Sequence, residues 1–126
     1  MSELNQMLKE MGDEISGILT ASVVGMDGLS LANFRKAKSF DEELASAQFA
    51  LVMKLTQKTM SQLGDREMED NLVTTRNIYV LTRFLGDGSY FLIVAVTKSY
   101  ASLGNIRLIT RQYSEKLWDL IPRRKE

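Results

Sequence analysis

At 126 residues, with 44% hydrophobic and 25% charged side chains, the chain has the size and make-up of one soluble globular domain with a core of its own. Sixteen basic residues against sixteen acidic ones leave a formal charge of +0, so no global field draws it to nucleic acid or to an anionic membrane. There is neither cysteine nor histidine, which removes disulfides, thiolate nucleophiles and cysteine metal sites, and the imidazole behind most general-base and metal chemistry near neutral pH. No catalytic residue, metal or cofactor is expected.

The chain opens with Leu4, Met7, Leu8, Met11 and Ile15 at steps of three and four, which predicts a helix over residues 3–15, weakened at its end by Gly12 and Gly17. Glu3, Lys9 and Glu10 interrupt this segment, so it lacks the basic and apolar regions of a signal peptide. The longest apolar run, 91–96, is too short for a bilayer. A cytoplasmic protein without membrane insertion is expected.

Residues 18–26 are β-branched and small, and Asp27-Gly28 signals a two-residue hairpin into a second strand near 29–34. A basic loop with Arg35, Lys36 and Lys38 leads to Ser39 or Asp41, either of which suits a helix cap before Glu42 and Glu43. That second helix runs to about Leu63 and is stopped by Gly64. After an acidic turn over 65–70 come three strands near 72–75, 78–84 and 89–97, the last two joined by Gly86-Asp87-Gly88. Residues 90–96 are continuously apolar, as a central strand covered on both faces would be. A final helix from Leu103 spaces Ile106, Ile109, Tyr113, Leu117 and Leu120 by three or four before Pro122, and the tail 123–125 is read as solvated.

The order helix, two strands, helix, three strands, helix predicts an α/β fold, a three-layer-like sandwich around a five-stranded, mainly antiparallel sheet. No repeat or linker divides residues 1–126, which are read as a single domain.

The second helix is the informative element. On a wheel of about 100° per residue its apolar positions fall into two groups on opposite sides. Phe40, Leu44, Ala47, Leu51 and Leu55 form one stripe; Ala45, Phe49, Val52, Met53, Met60 and Leu63 form the other. A helix apolar on two sides is buried on two sides. The stripe with Phe49 and Met60 persists along the helix and is assigned to the sheet, which leaves the Leu44 stripe as a protein interface. The alternative is that the first or last helix flanks this one on the same sheet face and hides the stripe.

The element order, together with Met26-Asp27-Gly28-Leu29-Ser30-Leu31-Ala32, the alanine-bearing helix 44–63, the Asp87-Gly88 turn and Leu103-Gly104 opening the last helix, resembles the roadblock family of dynein light chains and its prokaryotic branch. The resemblance covers almost the whole chain, and its fold relatives are profilin- and longin-like. It implies a homodimer in which the long helices pack together and the third strands, here Leu72, Val73 and Thr74, pair across the two subunits. It also implies service as a platform or regulator for Ras-like small GTPases, or as a scaffold subunit in motor and signalling complexes.

Sharper chemical readings fare less well. Gly86-Asp87-Gly88 lacks the lysine and the following helix of a phosphate loop, and no Gly-x-x-x-x-Gly-Lys-Ser/Thr motif occurs, so the chain is not itself a P-loop GTPase. Arg35, Lys36 and Lys38 invite comparison with an arginine supplied in trans to phosphoryl transfer, against a plain solvated loop. Asp65, Glu67, Glu69 and Asp70 lack the spacing of a calcium loop and read as a solvated turn. Arg107 and Arg111 lie on the polar side of the last helix, where an acidic partner or water would meet them. Trp118 is expected to anchor that helix on the sheet, and most of the seven methionines are expected in the core. The rival function is a small-ligand sensor, for which Thr20, Ser22 and Tyr79 are the polar candidates. An enzyme using carboxylates alone comes last.

Overall fold

The elements follow in the expected order: α1 (Ser2–Asp13), β1 (Ile18–Gly25), β2 (Ser30–Arg35), α2 (Glu42–Gln62), β3 (Asn71–Thr74), β4 (Ile78–Leu85), β5 (Tyr90–Thr97) and α3 (Leu103–Leu120), with a 3-10 turn at Lys98–Tyr100. This computed structural model describes residues 2–36 and 42–122, Ser2 and Glu42 by their backbone alone. Lys38, Ser39, Phe40, Asp41 and the tail 123–125 lie outside the described residues.

The strands form one sheet in the order β2-β1-β5-β4-β3, and every neighbouring pair is antiparallel, so the mainly antiparallel sheet of the sequence reading is antiparallel throughout. β5 is central and its residues 91–96 are all buried, as the unbroken apolar run requires.

The β1–β2 loop differs from the expected two-residue turn. The Gly28 N–H donates to Gly25 O at 2.9 Å and the Gly25 N–H to Leu29 O at 2.9 Å, enclosing Met26, Asp27 and Gly28. Only Gly28 has a positive φ, 89°, while a two-residue turn of the common hairpin type needs two such residues in succession. The loop therefore has three residues, and Asp27 Oδ1 steadies it by accepting from the Leu29 N–H at 3.0 Å. Asp87 does the same in the β4–β5 hairpin, accepting from the Ser89 N–H at 2.9 Å.

Helix ends follow local chemistry. The Asp65 N–H reaches Met60 O at 3.0 Å and the Gly64 N–H reaches Ser61 O at 3.1 Å, with Gly64 at φ 89°. This paired arrangement closes α2 and satisfies two of its last carbonyls. Ser102 Oγ accepts from the Asn105 N–H at 3.3 Å and opens α3.

α1 and α3 pack side by side on one face of the sheet, where Leu4, Leu8, Met11, Ile106, Ile109 and Leu117 meet Val23, Leu92 and Val94 in one buried cluster. Each such side chain is worth about 1.5–3 kcal/mol of burial. The layer is tight enough to dictate glycines. A Cβ on Gly12 would sit 2.4 Å from the Phe34 ring, and one on Gly86 would sit 2.0 Å from the indole of Trp118. Gly12 thus admits a β2 ring to the helix, and Trp118 anchors α3 on the β4–β5 hairpin as expected.

Among the described residues the other face carries α2 alone, resting on Val24, Phe91 and Ile93 through Ala50 and Met53. The first and last helices are on the far side of the sheet, so neither hides the second apolar side of α2. Of the methionines, Met11 and Met53 are fully buried, whereas Met7, Met26, Met60 and Met68 are only partly so.

Candidate functional site

The inner line of α2 is made of Ser46, Ala50 and Met53, all buried. At about 100° per residue the opposite side carries Leu44, Leu51 and Leu55, which are 55%, 65% and 66% exposed, and Ala47 beside them is exposed too. Among the described residues the stripe read as an interface is therefore largely exposed.

The assignment of the other stripe needs correction. Val52 is 40% exposed and Leu63 is 73% exposed, and neither belongs to the core. Met53 is buried, while Ala45, Phe49 and Met60 are half-buried. The helix meets the sheet along small residues, Ser46 and Ala50, which let its backbone come close. Hydrophobic size alone could not pick out that line, and sequence reasoning passed over both residues.

β3 lies at the edge of the sheet, with β4 on one side only. Its register is Leu72↔Leu81, Val73↔Val80 and Thr74↔Tyr79. Leu72 packs into the α1/α3 cluster, Val73 points to the α2 face, and Thr74 is exposed. The strand is fixed at its start. Arg107 Nε and Nη2 donate to the two Asp70 carboxylate oxygens at 3.0 and 3.1 Å, and Arg83 Nη1 donates to Glu69 O at 2.9 Å.

Asp70 is thus only 11% exposed, against the expected solvated turn. Its hydrogen bonds and charge raise the Arg107 pKa above the ordinary guanidinium value. Arg107, read as a partner contact, is committed within the chain, while Arg111 is exposed. Arg35 and Lys36 lie exposed at the end of β2, and Lys38 falls outside the described residues. Asp65, Glu67 and Glu69 are exposed, and among the described residues no group of three or more acidic side chains could hold a metal ion.

The opposite edge is different. There α1 leans over β2, and Asn5 Oδ1 accepts from the Asn33 N–H at 3.0 Å.

A ligand pocket in the interior would need Thr20, Ser22 and Tyr79 to converge. Thr20 and Ser22 do line a cavity under α2, between Ala45, Phe49, Ile93 and Ala95, but it measures about 70 Å³, against about 300–1,000 Å³ for ligand sites. Thr20 Oγ1 already donates to Phe34 O at 3.1 Å and Ser22 Oγ to Asn33 Oδ1 at 2.8 Å. Tyr79 packs with the other core cluster, its ring 5.7 Å from Lys98 Nζ. A larger cleft of about 640 Å³ runs between the β1–β2 hairpin and the start of α2. Its Asp27 and Asn33 are engaged in the bonds already described. Among the described residues no helix is long and apolar enough to cross a membrane.

Known structures share this architecture. MglB of Myxococcus xanthus superposes with a TM-score of 0.86 at 14% identity, over 95% of this chain and 95% of that one. An MglB in a tetrameric arrangement gives 0.85 at 18% identity, over 94% of this chain and 87% of that one. A roadblock/LC7 domain from Streptomyces avermitilis gives 0.72 at 12% identity, over 90% of this chain and 96% of that one. No family model matches the sequence, and no curated protein matches it. At these identities the likeness is one of architecture, and on that ground the chain has the roadblock/LC7 fold.

Proposed function

We propose that this protein is a non-catalytic, homodimeric adaptor or regulator that binds a Ras-like small GTPase, or a scaffold or motor complex, in the cytoplasm. The observation that carries the reading is the row Leu44, Leu51 and Leu55, set on the side of α2 that faces away from the sheet. Exposed leucines in a row on one helix mark a surface made for another protein. Leu44, Ala47, Leu51 and Leu55, with Phe40 by sequence, form one part of the self-association surface. Leu72, Val73 and Thr74 of the edge strand form the other.

The likeness to MglB, one example of which is a tetrameric arrangement, supports assembly from several copies. Arg35, Lys36, Lys38 and Arg111 are the charged residues offered to a partner, with Arg107 contributing through the exposed part of its side chain. The chain supplies no nucleophile or general base in this reading; it places a GTPase and changes what that enzyme meets.

The test is the solution mass of the full chain, by light scattering after size exclusion at micromolar concentration, for the wild type and for Leu51→Asp. A wild-type dimer that the substitution turns into a folded monomer is the expected result. A monomeric wild type would sink the dimer and return attention to the ligand-sensor alternative.

A further inference from the structure

One end of the sheet gathers basic side chains from three places in the sequence. There the Lys36 N–H donates to Leu19 O at 2.9 Å, the Thr97 N–H to Gly17 O at 2.8 Å, and the Lys98 N–H to Asn77 O at 2.9 Å. The end of β2, the start of β1, the end of β5 and the β3–β4 turn therefore lie side by side, each step across the sheet being about 5 Å. Lys36, Lys98 and Arg76 stand along this row. The acidic residues around the end of α1 are turned to other groups, Asp13 to Lys9 at 3.0 Å and Glu14 to the Tyr113 hydroxyl. The first turn of α3, which follows β5 at the same end, carries no acidic residue.

Between the β3–β4 turn and the end of β5 lies a cleft of about 470 Å³, lined by Arg76, Asn77, Thr97, Lys98 and Ser99. Every lining side chain is polar, two are cationic and none is acidic. Thr75 holds the turn, its Oγ1 accepting from the N–H groups of Asn77 and Ile78 at 3.3 and 3.1 Å. Lys98 is held as well. It is half-buried, with Nζ 3.5 Å from Thr75 O and 5.7 Å from the centre of the Tyr79 ring. Among the described residues neither Lys98 nor Arg76 pairs with a carboxylate. The half-buried Arg107 is matched to Asp70, whereas Lys98 is fixed in place with no acid beside it.

We propose that this cleft binds a phosphate monoester, a chemistry shared by small soluble metabolites and some lipid headgroups. The charge fits, since a monoester carries about −1.5 to −2 near neutral pH and meets two cations here. The donors fit too. Arg76 offers a planar fork to two oxygens and Lys98 a compact charge to a third, while the Asn77 amide and the hydroxyls of Thr97 and Ser99 complete the set. A single carboxylate would leave much of that set unused. Lys36, about 10 Å away across two strand spacings, adds attraction at longer range without touching the ligand. No residue of the leucine row or of β3 takes part, so the site stands whether or not the protein self-associates.

The test titrates the isotope-labelled full chain with inorganic phosphate, read from backbone amide shifts by NMR. Ionic strength is held fixed, because exposed charges are screened by salt. Weak, saturable shifts are expected at Arg76, Asn77, Lys98 and Ser99. Arg76→Gln and Lys98→Gln should each weaken binding about fivefold or more, the rest of each spectrum reporting that the variant is folded. Lys58→Gln, which removes an exposed cation of α2, should leave binding unchanged. Succinate, a dianion built from two carboxylates, should bind less tightly than phosphate.

Shifts spread over all exposed lysines and arginines, an equal response to succinate, or cleft variants that keep the wild-type constant would overturn the site. Vesicles of phosphatidylcholine with phosphatidic acid identify the source. Co-sedimentation that phosphatidylserine does not reproduce, and that Lys98→Gln abolishes, supports the site and assigns it to a headgroup. Phosphate binding without co-sedimentation supports it as a site for a soluble monoester.

Discussion

The two faces of the sheet are finished to different degrees. Under α1 and α3, large side chains interlock until a single added carbon at Gly12 or Gly86 has nowhere to go. Under α2, the helix leans on Ser46 and Ala50, hydroxyls of Thr20, Ser22 and Thr82 lie beneath it, and a small apolar void remains. Phe49 and Met53 turn inward, but Leu44, Leu51, Leu55 and Leu63 of α2 look outward. The contrast separates residues that make the monomer fold from residues that the proposed assembly would use, and it does so within one 126-residue chain.

The strongest way to break this contrast is to shorten one leucine on each side. Leu8→Ala, in the closed layer, should lower monomer stability by about 2–5 kcal/mol in urea unfolding. Leu51→Ala, on the open side, should change it by less than about 0.5 kcal/mol under conditions where the protein is monomeric. Equal losses would erase the distinction.

Adding carbon instead of removing it sharpens the same comparison. Gly12→Ala gains about 1 kcal/mol of helix propensity but drives a methyl into the Phe34 ring, so a net loss of about 1–2 kcal/mol is expected in the melting curve, with recovery when Phe34→Leu is added. Ala95→Val, which points a branch into the void under α2, should be tolerated or mildly stabilising.

The smallest effect concerns pH. Tyr113 OH donates to Glu14 between α3 and α1, and this bond, together with burial, pushes the phenol from 10.0 up to about 12. The folded protein thus holds a proton that the unfolded chain releases near pH 10. The stabilisation is complete below that pH and is lost as pH rises towards 12. Unfolding measured across this window, with tyrosinate absorbance as the probe, should show a decline that Glu14→Ala lessens. An identical decline in the variant would assign the effect to other groups.

Much of the fold was legible because it depends on local period. Steps of three and four gave α1 and α3, the apolar run gave β5, and Asp-Gly pairs gave both hairpins. The outward leucines of α2 could likewise be read from a wheel. Its inner line could not, since Ser46 and Ala50 are chosen for being small, and a ranking by hydrophobicity put Val52 and Leu63 there instead. Pairings between distant residues were equally hidden. Arg107 and Asp70 are 37 positions apart, and each taken alone looks like a solvated charge.

The contact between Asn5 and Asn33 bears on a different matter, the fate of an unpaired strand edge in a crowded solution. By occupying an outward N–H of β2, the α1 side chain makes that border a poorer place than β3 for a strand to be added. If both borders were available, β2 of one copy could receive β3 of the next, and addition would continue without limit into a filament. With β2 hindered in this way, strand addition in the proposed assembly would favour β3 meeting its own kind, and growth would stop at a pair.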